Sequence, residues 1–184
     1  VLVQNEKVKE SSYEFPRPEM YTLGRLNVEG ISDRLETLRH EMEAQPNIES
    51  VAFSSQVPYE QNNSSFDVAM QPGDEASQVS VHLMRMTPEF LATYNIPLLE
   101  GRNLSRDVGN DERRDDSEVL NVLVNELALA KLGIGTLADA INQRFYDLDA
   151  ERALRELVIV GVVPTHNIVG LFDKEKYWVC MYRY

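Results

Sequence analysis

Residues 87–107, TPEFLATYNIPLLEGRNLSRD, constrain the fold more than any other stretch, because they must form a short helix and then turn a corner. The Thr-Pro-Glu start is typical of a helix N-terminus, with the hydroxyl of Thr87 as the predicted cap. Asn95 can adopt the left-handed conformation and Pro97 cannot continue a helix, so the helix is predicted to be short. Gly101 then marks a turn where φ is positive or two backbones approach closely. The segment therefore predicts a bend in the chain. It contains no nucleophile, no metal-ligand spacing and no phosphate-binding loop.

A strand, a helix and a second strand are predicted before this segment. Residues 20–28 and 48–54 alternate in the manner of strands, the first of them imperfectly. Between them, residues 31–42 repeat apolar side chains at helical steps, as in an amphipathic helix. Ser32 is the predicted N-cap, and Pro46 lies just beyond the predicted end of the helix. Together these elements predict a compact α/β unit.

The rest of the chain alternates strands with short helices and shows no repeat of fixed period. A hairpin is predicted within residues 56–77, where apolar residues alternate between clusters of turn residues. Asn125 is predicted to cap a helix that ends at Gly133. Further strands are predicted at residues 79–86, 119–124, 143–146, 157–163 and 176–182, and helices at 125–132 and 136–141. This order is typical of an α+β fold with a mixed or antiparallel sheet.

Composition argues against several classes of function. The chain has 184 residues, of which 43% are hydrophobic, and this suffices for a core. The net charge of −12 argues against binding to nucleic acid or to an anionic membrane surface, since both rely on Lys and Arg. The longest apolar run, LVIVGVV, is far shorter than the roughly 20 residues of a membrane-spanning helix. Cys180 is the single cysteine, so no intramolecular disulfide can form.

No group of residues has the spacing of a metal or cofactor site. His40, His82 and His166 are scattered and show neither an i,i+4 nor an HExxH spacing, which argues against zinc. Cys180 alternates within YWVCMY and is predicted to be a small buried residue. Gly-Ile-Gly at residues 133–135 lacks the third glycine of a dinucleotide fingerprint and is predicted to end a helix.

The acid-rich loop at residues 107–118 fits a calcium-binding loop only at its ends. Asp107 and Glu118 occupy the first and twelfth positions of an EF-hand, but the third is Gly109 and the sixth is Glu112. The loop is therefore predicted to be solvated, and no carboxylate lies in a stretch that indicates burial. We predict no catalytic, cofactor-binding or metal-binding residues, no cofactor and no enzyme activity.

Four stretches, in fixed order with matching gaps, resemble the motifs of the MacB-like periplasmic core domain. They are MTPEFLATYNIPLLEGRNLSRD, NVLVNELALAKLG, LADAINQRF and LVIVGVVPTHNIVGLFD. Residues 20–54 also fit the strand-helix-strand that opens such domains, so the resemblance covers nearly all of the chain from Met20 onward. One departure is Asn142, which stands where the family usually has glycine, and asparagine is the next residue best able to reach positive φ.

The resemblance implies an extracytoplasmic domain of a bacterial ABC transporter permease of the FtsX, MacB or lipoprotein-release type, between its first and second transmembrane helices. Residues 1–19 would lead in from a preceding membrane helix, and an apolar run of about 20 residues would flank the chain at each end. The expected architecture is a Porter-like α/β lobe with a mixed or antiparallel sheet, residues 20–100 and 176–184. A smaller α/β lobe would be inserted at residues 101–175.

In that family the domain is non-catalytic and transmits conformational change. The implied partners are a cytoplasmic ATPase subunit or domain, reached through the membrane part, and a second permease copy or paralogue. A periplasmic adaptor, a lipoprotein or other cargo would contact the domain itself, and no nucleic acid is expected. The implied location is the periplasmic side of the bacterial inner membrane. The alternative is a ligand-sensing extracytoplasmic domain, which would need a concave apolar pocket with convergent polar groups.

Overall fold

A computed structural model describes residues 20–24, 26, 30–31, 34–55, 64–114, 117–148, 155–165 and 178–182. In these ranges the helices are α1 (Leu35–Glu43), α2 (Phe90–Thr93), α3 (Glu126–Lys131) and α4 (Leu137–Ala140), with a 3-10 turn at Glu75–Ser77. The strands are β1 (Ser65–Ala69), β2 (Val79–Met86), β3 (Glu100–Gly101), β4 (Val119–Asn125), β5 (Arg144–Asp147), β6 (Arg155–Val163) and β7 (Trp178–Tyr182). Within the range of the predicted hairpin, 56–77, the structure describes one strand, β1, and its antiparallel partner is β2, which lies beyond that range. The predictions of β2, β4, β5 and β6 are confirmed to within two residues.

The seven described strands form one sheet in the order β3-β6-β4-β7-β2-β1-β5. β5 pairs with β1 on one side and with β6 on the other, so the sheet closes on itself. β4 runs parallel to β6 and β2 runs parallel to β7, while the other paired strands are antiparallel. A mixed sheet with a few short helices confirms the predicted α+β class.

Strands from both predicted lobes lie side by side in this sheet. β7 belongs to the predicted Porter-like lobe, and it pairs with β4 of the predicted inserted lobe. The division into two lobes is not confirmed, and boundaries near residues 100 and 176 stay a prediction.

The strands in the middle of the sheet are buried on both faces. Every residue of β7 is buried, as are the last four residues of β4 and the last five of β6. Continuous apolar runs are typical of such strands, because neither face meets water. One apolar cluster packs with α3 and α4, and a second packs with α2 and the residues that follow it. The sheet therefore separates two cores.

The strand predicted at residues 20–28 is wrong for the residues that the structure describes there, 20–24 and 26, which lie in no strand. Tyr21 is 93% exposed and Leu23 is 59% exposed, so these side chains bury almost nothing. A strand needs a hydrogen-bonded neighbour as well as an alternating pattern, and alternation in the sequence does not supply that neighbour.

The strand predicted at residues 48–54 is reduced to an isolated antiparallel bridge between Ser54 and Met86. β1 already pairs with the first half of β2, so only the last residues of β2 are open on that edge. Beyond the bridge, the N–H of Thr87 donates to the carbonyl of Phe53 at 2.9 Å. The short open edge leaves room for a bridge and not for a full strand.

α1 begins at residue 35, later than predicted, and ends before Pro46 as predicted. Arg34 occupies the N-cap position and makes no capping hydrogen bond with its side chain. Ser32, the predicted cap, lies outside the described residues. No side chain of α1 is fully buried. Among the described helices, none combines the length and apolar character that crossing a membrane requires.

α2 is about one turn long, as predicted for residues 87–107. Asn95 adopts the left-handed conformation with φ of 53°, which confirms its role in ending the helix. The predicted cap is wrong, because the hydroxyl of Thr87 accepts from the N–H of Phe53 at 3.1 Å and not from the first turn of α2. Thr87 is fully buried, and its hydroxyl supplies a hydrogen-bond acceptor to the backbone N–H of Phe53 beside it.

Asn125 joins β4, α3 and β7 through one side-chain oxygen. Its Oδ1 accepts from the N–H of Ala128 at 3.0 Å, which confirms the predicted helix cap. The same oxygen accepts from the N–H of Trp178 at 2.9 Å and fixes the start of β7 beside the end of β4. Asn125 is buried, so its oxygen is the acceptor for two N–H groups that are shielded from water.

Asn125→Ala is expected to lower the free energy of unfolding by about 2–4 kcal/mol, through loss of a helix cap and of a buried acceptor. Urea unfolding followed by tryptophan fluorescence measures the change. Thr136→Ala is the matched control, since Thr136 caps the exposed start of α4 through the N–H of Asp139 at 3.2 Å. The control should lose only about 0.5–1 kcal/mol. Equal losses would contradict the double role of Asn125.

Candidate functional site

The corner after α2 brings two glycines together. Gly101 in β3 pairs with Gly161 in β6, and the φ of Gly101 is +78°. A Cβ on Gly101 would lie 2.3 Å from the carbonyl oxygen of Val160, and a Cβ on Gly161 would lie 2.3 Å from the carbonyl oxygen of Arg102. No side chain fits at either position without moving backbone. The predicted need for glycine at position 101 is confirmed, and we call the contact of Gly101 with Gly161 the glycine crossing.

Arg102 follows the glycine crossing and binds Asp111 with both terminal nitrogens. Nη1 lies 2.6 Å from Oδ2, and Nη2 lies 2.9 Å from Oδ1. Asp111 also accepts from Nδ2 of Asn121 in β4 at 2.6 Å and from the N–H of Ser105 at 2.8 Å. Four donor atoms thus surround a carboxylate whose side chain is fully buried. We call these four residues the Asp111 network.

The prediction that the acid-rich loop is solvated and buries no carboxylate is therefore wrong at Asp111. Asp107 and Glu118 are exposed as predicted, while Asp115 and Asp116 lie outside the described residues. A carboxylate can be buried when hydrogen bonds and an opposite charge replace the water that it loses. The bidentate Arg102 and the amide of Asn121 meet that condition here.

The Asp111 network keeps its carboxylate ionised. Burial by itself would raise the pKa of Asp111, but hydrogen bonds from Arg102, Asn121 and Ser105 outweigh burial and hold the pKa below its ordinary value. The hydrogen bond to Asp111 likewise raises the pKa of Arg102. A carboxylate with a lowered pKa is a poor proton carrier at neutral pH, so the network is suited to fixing the corner rather than to acid-base catalysis.

Arg106 meets three separate parts of the fold. Its Nη2 lies 2.9 Å from Oε2 of Glu89, next to α2, and 3.5 Å from Oε2 of Glu36 in α1. Its guanidinium carbon lies 5.7 Å from the ring centre of Tyr182, the last residue of β7. A cation over an aromatic face is attracted by the negative charge of that face. We call these contacts the Arg106 junction.

The charges of the Arg106 junction stay fixed near neutral pH. Burial raises the pKa of Glu89, but hydrogen bonds, with Arg106 first among them, outweigh burial and lower it. The hydrogen bond to Glu89 raises the pKa of Arg106. Burial raises the pKa of Tyr182 to about 12, so its phenol stays neutral.

Of the described histidines, His40 touches one of these groups of contacts, with Nε2 3.4 Å from Oε1 of Glu36 in the Arg106 junction. His40 is exposed on α1, while the ring of His82 packs on Trp178 with centres 5.3 Å apart. His166 lies outside the described residues. Cys180 is buried as predicted, and burial raises the pKa of its thiol to about 12, so the reactive thiolate is scarce at neutral pH. In the part of the chain that the structure describes, no three His, Cys, Asp or Glu residues are grouped to hold a metal ion.

Two further left-handed positions agree with the sequence predictions. Gly133 has φ of +75° and follows α3, and Asn142 has φ of 68°. The N–H of Asn142 donates to the carbonyl of Ile159 at 2.8 Å, which ties the turn after α4 to β6. Asn142 therefore reaches the positive φ that was predicted for an asparagine at this position.

Sequence analysis predicted the corner at Gly101 but not the role of Arg102, the next residue, or its partner Asp111. Asp111 is one of several acidic residues in its loop, and no spacing distinguishes it from the others. Asn121 was the available signal, because an amide inside the apolar strand VLNVLV needs a polar partner when it is buried. Arg106 gave no comparable signal, since its contacts come from three distant segments.

Comparisons with known proteins yield similar structures and no sequence relative. No protein-family model and no curated protein matches the sequence. The periplasmic region of MacB from Actinobacillus actinomycetemcomitans is 15% identical, with a TM-score of 0.49, over 79% of this chain and 53% of that chain. The extracellular domain of the noncanonic ABC-type transporter YknZ from Gram-positive bacteria is 10% identical, with a TM-score of 0.49, over 79% and 60%.

A third similar structure is a domain of a protein described as a permease from Porphyromonas gingivalis. It is 16% identical, with a TM-score of 0.48, over 76% of this chain and 52% of that chain. Two of the three neighbours are thus described as a periplasmic region and as the extracellular domain of an ABC-type transporter. The chain spans 52–60% of the length of the three neighbours. At these identities the similarity is one of backbone path over part of each chain.

Gly101→Ala is expected to lower the free energy of unfolding by about 2–4 kcal/mol, because its methyl group strains the backbone and collides with the carbonyl of Val160. Gly133→Ala is the matched control, with φ of +75° and no non-neighbouring atom within 4 Å of the added Cβ. It should lose only the strain, about 1–2 kcal/mol. Urea melts give the difference between the variants, and equal losses would show that the glycine crossing is loosely packed.

Asp111→Asn should destabilise the fold by about 2–3 kcal/mol at pH 7, since it breaks a bidentate ion pair at a buried site. The folded pKa of Asp111 is lowered, so its ionisation stabilises the fold above the unfolded pKa of about 3.9 and ceases to do so as pH falls through the folded pKa. The difference between variant and parent should therefore shrink as the pH drops below about 4.

Glu112→Gln is the control for this pH series in urea melts. Glu112 is the next residue in the loop and pairs with the exposed Arg114 at 2.9 Å. Its loss should change the free energy of unfolding by less than about 1 kcal/mol at either pH. A difference between Asp111→Asn and the parent that persisted unchanged in acid would show that charge is not what the Asp111 network contributes.

Proposed function

We propose that this chain is an extracytoplasmic, non-catalytic domain of a bacterial ABC transporter permease, and that it transmits conformational change between the membrane part and partner proteins. The four stretches that resemble the MacB-like periplasmic core domain support the assignment. Their arrangement in space supports the mechanical role.

All four stretches meet at β6. The fourth stretch forms most of β6, while the first supplies β3, the second most of β4 and the third the first half of β5. β4 pairs along one edge of β6, and β5 and β3 pair with successive parts of the other edge. Motifs that are separated in sequence but share one strand in space form one structural unit. This convergence is the observation that carries the proposal.

The unit built on β6 has the stiffness that transmission of motion requires. A domain that passes on a displacement must rotate or shift as a rigid body. The glycine crossing holds β3 against β6 without an intervening side chain, and Arg102 and Asn121 tie the following loop to β4 through Asp111. Because the central strands are buried on both faces, a displacement at one end of the sheet is carried to the other.

The partners in this proposal act from two directions. A cytoplasmic ATPase subunit or domain drives the chain indirectly, through the membrane part, and a second permease copy or a paralogue lies beside it. A periplasmic adaptor, a lipoprotein or other cargo contacts exposed loops, where binding residues are commonly found. The domain then lies on the periplasmic side of the inner membrane.

Gln71→Cys in the full-length permease tests the location. Gln71 is exposed in the connection between β1 and β2, whereas the native Cys180 is buried and protonated. A membrane-impermeant maleimide is expected to label position 71 in cells whose outer membrane alone is permeabilised. The parent protein, with any cysteine outside residues 1–184 replaced by serine in both proteins, is the control and should stay unlabelled until it is unfolded. Labelling that requires lysis of the inner membrane would overturn the proposal.

The same variant, spin-labelled at position 71 and reconstituted with its ATPase, tests transmission. Pulsed electron paramagnetic resonance measures the distance between the labels on two permease copies. This distance should shift on addition of ATP and magnesium, and it should stay constant with a catalytically inactive ATPase. An unchanged distance in a domain that is labelled from outside would contradict transmission and favour ligand sensing.

A further inference from the structure

α1 is held in place by polar contacts more than by burial. None of its nine residues is fully buried, and its apolar side chains Leu35, Leu38 and Met42 are only half-buried. A short helix gains most of its stability in a protein from the apolar face that it packs away. Elements with little buried apolar surface open locally at lower free energy than the core does. α1 is thus the described helix best suited to separate movement.

The polar contact that ties α1 to the loop after β3 is the pair of Glu36 with Arg106. The guanidinium of Arg106 lies 3.5 Å from Oε2 of Glu36 and 2.9 Å from Oε2 of Glu89. Oε1 of Glu36 is bound by Arg39 of the same helix, with Nε at 3.0 Å, so Arg106 is the cation that links the other oxygen of Glu36 to Glu89. The Arg106 side chain is 30% exposed, so salt screens this pair more than it would a buried one.

The segment after α1 is anchored independently of Arg106. Oγ of Ser50 lies 2.6 Å from Oγ1 of Thr93 in α2, and Phe53 shares two hydrogen bonds with Thr87. Between α1 and Ser50, residues 44–47 form a turn. The N–H of Val51 also donates to Oε1 of Glu43 at 3.4 Å, which holds the last residue of α1 near this segment. The turn is therefore the place about which the start of α1 can swing away while Glu43 and residues 50–55 stay in place.

We propose that α1 is a releasable element and that Arg106 is the latch that holds it against the start of α2 and the end of β7. Release separates Glu36 from Arg106, pivots α1 about residues 44–47 and leaves the sheet unchanged. The contacts of Arg106 with Glu89 and Tyr182 persist, so the cation stays in place for reclosure. The latch does not depend on the chain being a transporter domain.

Hydrogen exchange of the 184-residue chain, read by mass spectrometry, tests the latch. Arg106→Gln should raise the exchange of α1 amides about two- to fivefold, as expected for loss of a partly exposed ion pair, with β4 and β6 unchanged. Glu36→Gln should act in the same direction, although it also removes the pairs with Arg39 and His40. The double variant should show less than the sum of the two effects, because the pair of Arg106 with Glu36 is lost in both single variants. For the parent, raising the salt from about 0.05 M to about 1 M should reproduce the effect.

Arg114→Gln is the matched control, because it removes the same charge from the same loop. Arg114 is exposed and pairs with Glu112, not with α1. This variant should leave the exchange of α1 unchanged. The latch is overturned if Arg106→Gln and Glu36→Gln leave α1 protected. It is equally overturned if α1, β4 and β6 exchange faster together, since that result means loss of global stability.

Discussion

Two backbones that approach until no side chain fits between them determine the geometry of the corner after α2. Gly101 lies against β6, and this contact fixes the direction in which the chain continues. The guanidinium of Arg102 therefore lies within hydrogen-bond distance of Asp111. Asp111 in turn holds the loop to β4 through Asn121. Arg106 then lies within reach of two helices and the end of β7. The contacts of Arg102, Asp111 and Arg106 thus all depend on the close approach of β3 to β6.

The features that the sequence predicts well are those set by the residues themselves. β4 and β6 are continuous apolar runs, and such runs stay buried whichever strands they pair with. Gly101, Asn95 and Asn142 occupy positions with positive φ, which few other residue types tolerate. In each case the physical cause lies within a few residues of the feature, so it can be recognised before any tertiary contact is known.

The features that the sequence did not predict depend on partners that are distant along the chain. Asp111 is buried because Arg102, nine residues before it, and Asn121, ten residues after it, supply donors. Thr87 has the chemistry of a helix cap, yet its hydroxyl accepts from Phe53 because the two segments lie side by side. Residues 20–24 and 26 belong to a stretch that alternates like a strand, and yet they lie in none, since pairing requires a neighbour. Tertiary contact overrides local preference at each of these positions.

Closure of the sheet determines how copies of this chain can touch one another. An open sheet presents a row of unpaired N–H and C=O groups on its edge strand, and these can add a strand from another molecule. Among the described strands the open edges are short. The end of β2 is met by residues 53–55. The outer side of β3 is two residues long, and the carboxylate of Glu100 accepts from the N–H of Gly101 at 3.3 Å. The described sheet therefore offers other copies almost no free backbone, and contacts with it must form through side chains. Side-chain contacts can shift, separate and form again without breaking backbone hydrogen bonds between strands.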